Sequence, residues 1–81
     1  MKLIEDKASA WQTFMVADTP YGIEKIDSRC FYIFRLWGRE RKYIRDREDF
    51  RREINFSSKA KAIAYLEPIV AQYQENIVVS A

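Results

Sequence analysis

The chain has 81 residues, 48% of them apolar and 15% aromatic, and a formal charge of +2 from fourteen basic and twelve acidic side chains. A chain of that length supports one core and hence one domain, residues 1–81, with a net stability of about 4–12 kcal/mol. With no histidine and a single cysteine, it cannot build His-based nucleophile activation, a zinc site or an internal disulfide, and its +2 charge excludes an acidic imitator of DNA.

Residues 1–10 hold the apolar pair Leu3-Ile4 before a charged stretch, which suits a short helix or a short strand equally. Trp11 to Ala17, WQTFMVA, is rich in aromatic and β-favouring residues and predicts a strand. Asp18-Thr19-Pro20-Tyr21-Gly22 is turn chemistry, with Pro20 presetting φ and Gly22 able to take φ > 0. Ile23 and Ile26 open a second strand that stops near Asp27-Ser28.

The clearest strand runs from Arg29 to Trp37, with Phe31, Ile33, Arg35 and Trp37 alternating against Cys30, Tyr32, Phe34 and Leu36. Both faces are apolar over its first half, so it belongs in the middle of a sheet, or between a helix and a partner. Gly38-Arg39-Glu40 reads as a hairpin turn that returns through Arg41-Lys42-Tyr43-Ile44. Residues 45–53 suit a loop or one helical turn, with Phe50 as their anchor.

Ser57 or Ser58 supplies a helix N-cap. Ile63, Leu66, Val70, Tyr73 and Ile77 then recur at spacings of three and four, one apolar stripe along a helix. Pro68 lies inside that pattern and predicts a kink rather than a break, because the stripe continues across it. Ile77-Val78-Val79 either extends the helix or closes the sheet. Together these elements predict an α+β fold: a three- or four-stranded antiparallel meander packed against one C-terminal helix kinked at Pro68.

Cys30 sits in an apolar run and is expected to be a buried thiol in a reducing compartment. The opening MKLIEDKASA has acids where the apolar core of a signal peptide would lie. No apolar run approaches the roughly 20 residues of a membrane span. The expectation is a cytoplasmic protein.

The order Trp11, Ala17-Asp18-Thr19-Pro20-Tyr21-Gly22, Ile26, then Phe56-Ser57-Ser58 with Ala60, Ala62 and Ala64, resembles small phage and prophage proteins of unassigned function. Those share a Trp, an A-[DE]-T-P-x-G turn, a meander and a closing Ala-rich helix. The resemblance spans residues 11–73 and implies a mobile-element origin, where such proteins often inhibit host or defence machinery in the manner of anti-CRISPR proteins. It assigns no functional residue.

The charge is unevenly spread. Residues 35–52 hold eight basic residues against four acids, a local +4, while the rest of the chain is −2. Gly22 and Gly38 are too far apart to cradle a phosphate, and Glu48-Asp49 lies among arginines as a solvated pair. No enzyme, metal or cofactor is expected. Trp, Tyr and Arg are the residue types that dominate protein interfaces. Tyr32, Trp37, Arg39, Arg41, Lys42, Tyr43, Arg45 and Arg47 are therefore the expected contacts of a non-catalytic protein-binding module. The same basic hairpin could instead line phosphates of a nucleic acid, with aromatic rings stacking on bases. A third reading is a structural homodimer joined through a strand edge.

Overall fold

The computed structural model describes residues 1–7, 12–45 and 54–80, the last four by their backbone alone. Five antiparallel strands form one meander sheet: β1 (Leu3–Asp6), β2 (Gln12–Val16), β3 (Tyr21–Asp27), β4 (Cys30–Trp37) and β5 (Glu40–Tyr43). One helix, α1 (Lys59–Ser80), follows. The α+β class and the meander hold, but there are five strands where three or four are expected. The additional one is β1, where Leu3 pairs with Val16 and Glu5 with Phe14. Its four residues carry too little pattern to choose a strand by themselves, and β2 chooses for them.

The turns are built differently from their sequence signatures. The positive φ between β2 and β3 falls on Asp18 (62°), not on Gly22. Aspartate tolerates that region, and Thr19 closes the turn by donating from Oγ1 to the Val16 carbonyl at 3.0 Å. Gly22 lies within β3, and that strand begins at Tyr21, two residues before the expected start. Between β3 and β4, the Arg29 N–H donates to Asp27 Oδ1 at 2.7 Å. The β4–β5 hairpin turns on Gly38-Arg39, with Gly38 at φ 62°. Glycine at the first central position is what a type II′ turn requires.

The registers sort side chains onto two faces. Leu3, Val16, Tyr21, Ile23, Phe31, Ile33 and Arg35 share the face beneath α1. Ala62, Leu66 and Val70 pack onto it, with Leu66 fully buried. The buried row thus begins at Ala62, and Ile63 flanks it half-buried. Ser58 is the N-cap, its Oγ accepting the Lys61 N–H at 3.2 Å. Pro68 sits on the exposed side, where the carbonyl of exposed Ala64 that it leaves without a partner can reach water. The helix is continuous across it and takes in Ile77-Val78-Val79. Beyond the reach of β5, Phe56 exchanges two 2.9 Å backbone bonds with Phe31 and so pairs the lower half of β4. Strand β4 is therefore central. Cys30, at its start, is a free thiol and only partly buried, because it lies at the end of β4 beside an exposed turn.

Candidate functional site

The expected contact residues divide between the two faces. Tyr32, Arg41 and Tyr43 project onto the face away from α1, whereas Trp37 and Lys42 share the helix side. Arg39 is exposed in the turn and Arg45 is exposed just past β5. Arg47, like Trp11 and Phe50, lies outside the described residues.

No described helix covers the second face, yet Phe34, Thr13 and Glu24 are buried there. Their burial has a local cause. Gly22 pairs with Phe34, and a Cβ at Gly22 would stand 2.5 Å from Phe34 Cζ. The ring therefore lies against bare backbone. Arg41 crosses over it, its guanidinium carbon 4.7 Å from the ring centre. Arg41 Nη1 then donates to Glu24 Oε2 at 2.9 Å and to Thr13 Oγ1 at 3.4 Å. The Tyr43 hydroxyl donates to the same carboxylate oxygen at 2.7 Å.

A buried carboxylate is tolerable only when paired and hydrogen-bonded, and Glu24 is both. Burial holds the Tyr43 hydroxyl above its ordinary pKa of 10.0, and the hydrogen bond to Glu24 adds to the rise. Beside this network a cleft of about 240 Å³ is lined by Glu24, Ile26, Tyr32 and Tyr43. Arg41 thus roofs a small aromatic layer, and its charge is compensated from within. Glu24, Thr13 and Gly22 escaped sequence reasoning because their partners lie on other strands. Only the strand register brings them together.

The helix side of the hairpin is different in kind. Trp37 is 54% exposed, the largest exposed aromatic among the described residues. The Arg35 guanidinium carbon lies 4.2 Å from its ring centre. Arg35 also approaches the rings of Tyr21 and Tyr73, at 5.4 and 5.6 Å. Lys42 stands opposite Arg35 across the hairpin. Lys42 Nζ is 3.9 Å from a Glu40 carboxylate oxygen, with both side chains well exposed, so that pair contributes little. The alternation of β4 already placed Arg35 beside Trp37, but nothing local distinguished it from Arg39 or Arg41.

No group of three or more carboxylate or thiol ligands is assembled among the described residues, and no described helix is long and apolar enough to cross a membrane. Comparison with known protein families, curated proteins and solved structures finds no match to this chain.

Proposed function

We propose that the chain is a small non-catalytic protein-binding module that docks through the helix-side surface of the β4–β5 hairpin. The observation that carries this reading is Trp37: a large ring, 54% exposed, backed by a stacked guanidinium at the tip of a hairpin. Interface hot spots are built from Trp and Arg held in place before binding. Exposed Arg39 and Lys42 form a charged rim around it, which suits partner choice by complementarity.

A protein partner is favoured over nucleic acid because the basic excess is smaller than it looks. Arg41 is compensated by Glu24, and Lys42 has Glu40 beside it. The turn and helix motifs shared with small phage proteins support a role as an inhibitor of host or defence machinery. A single free thiol suits a reducing, cytoplasmic setting.

The test is capture of a partner by the intact chain and by the Trp37→Ala, Arg39→Glu double variant. Both positions are exposed, so the variant is expected to stay folded, with melting lowered only by the lost Trp37–Arg35 contact, while losing the partner. Arg41→Glu is unsuitable here, since it would set a second carboxylate against Glu24. Partner retention by the folded double variant overturns the proposal. So does binding only to nucleic acid, with affinity falling steeply as salt rises.

A further inference from the structure

Among the described residues, Arg35 is a cation without an anion. Its Nη1 donates to the Tyr21 hydroxyl at 3.2 Å. No described carboxylate pairs with it, and the ion pairs described nearby join Arg41 to Glu24 and Lys42 to Glu40. Its Nε is the one buried side-chain polar atom among the described residues that has no hydrogen-bond partner. The residue directly across from it is Lys42, a like charge at a position where an opposite charge would stabilise the sheet. Three aromatic rings hold the guanidinium in place. Such contacts attract the cation to the ring faces, yet supply no acceptor for the remaining N–H groups.

This arrangement folds at some electrostatic disadvantage and leaves a rigid, partly desolvated donor edge. With Nη1 engaged, the Nε–Nη2 edge remains, the side-on fork that a carboxylate grips with two parallel hydrogen bonds. A fixed guanidinium loses little entropy on binding, and its attraction to an anion grows as water is excluded.

We propose that Arg35 is the receptor for a carboxylate of the protein partner, an Asp or Glu side chain carried next to an apolar residue that covers Trp37. The inference rests on the reading of this hairpin as a protein-binding surface and names the chemistry recognised there. The carboxylate enters at Nη2, and a small shift of the exposed Trp37 ring brings it to Nε, which then has the acceptor it lacks. Carboxylate is favoured over phosphate because Glu40, opposite Trp37 and beside Lys42, lowers the positive potential that a nucleic-acid backbone needs.

The test follows the Arg35 Nε–H and Trp37 indole N–H resonances of the isotope-labelled chain by NMR. The probes are a blocked peptide of alternating glutamate and leucine, its glutamine counterpart, inorganic phosphate and a single-stranded oligonucleotide. The acidic peptide is expected to shift both resonances saturably, about tenfold or more tighter than the glutamine peptide, as loss of charge-assisted hydrogen bonds implies. Arg35→Gln should abolish the difference between the two peptides, and Arg35→Lys should weaken it several-fold.

Equal response to both peptides overturns the inference, as does an undiminished response in Arg35→Gln. Stronger binding of phosphate or oligonucleotide, or no shift with any probe, overturns it too. Should Arg35→Gln fail to fold, the comparison of the two peptides on the unaltered chain decides alone. A captured partner that needs Trp37 but is indifferent to Arg35→Gln overturns this inference and leaves the hairpin reading standing.

Discussion

Gly22→Ala is the most direct test of how the second face is built. The added Cβ would meet Phe34 Cζ at 2.5 Å, Phe34 Cε1 at 2.9 Å and Met15 Sδ at 2.9 Å. Relaxed carbon contacts lie at about 3.5–4.0 Å, so something must move by about 1 Å. Met15 is flexible and can yield. Phe34 cannot yield freely, because it is fully buried with the Arg41 guanidinium 4.7 Å above its ring. Lifting the ring pushes Arg41 away from Glu24, so one methyl group disturbs both the packing and the ion pair.

Overpacking of this kind costs about 1–3 kcal/mol, and the lower unfolded-state entropy of alanine offsets about 0.4–1 kcal/mol. The expected net loss is about 1–2 kcal/mol, against a total stability of about 4–12 kcal/mol. Melting should fall by about 4–16 °C in thermal unfolding followed by circular dichroism. Phe34→Leu removes the ring edge, so the double variant should be more stable than the sum of the single effects by about 0.5 kcal/mol or more. Unchanged melting in Gly22→Ala, or strict additivity with Phe34→Leu, refutes the argument that glycine is there to admit the ring.

Three further outcomes follow from the same geometry. Arg41→Met strips the countercharge from a Glu24 side chain only 5% exposed. The expected loss in urea unfolding is about 2–3 kcal/mol, low for a broken buried pair because Tyr43 still donates to that carboxylate; adding Glu24→Gln should restore part of it. Tyr43 has a raised pKa, so its contribution to stability is fully present below pH 10.0 and is lost as pH rises beyond that value. Denaturant midpoints measured on either side of that pH should show a shallower alkaline decline in Tyr43→Phe than in the unaltered chain. Ser58→Ala removes the acceptor of the Lys61 N–H and should lower stability by about 1 kcal/mol, read as a melting decrease of about 4–8 °C.

What could be read from residues alone was whatever short-range chemistry controls. The alternation in Cys30–Trp37, the glycine turn at Gly38 and the Ser58 cap appear where their local patterns place them, and the helical stripe does so at Leu66 and Val70, with Ala62 rather than Ile63 opening the buried row. Each depends on neighbours a few positions away, and backbone sterics, side-chain period and capping act over that range. The grouping of Arg and aromatic residues around one turn was legible for the same reason. Strand β1 was not, because four residues with one apolar pair acquire a conformation only from the strand they join.

Tertiary structure alone decided how that grouping divides. Arg41 and Glu24 are seventeen positions apart, and Arg41 and Thr13 twenty-eight. Arg35 meets Tyr21 across fourteen. Which of several arginines meets a carboxylate among the described residues depends on register and on the face each strand presents. Sliding a strand by one residue exchanges the faces while leaving composition unchanged. Local sequence therefore determined that a basic aromatic hairpin exists. Long-range strand pairing decided that Arg41 braces the sheet against Glu24 while Arg35 lies against the exposed ring of Trp37 on the other face.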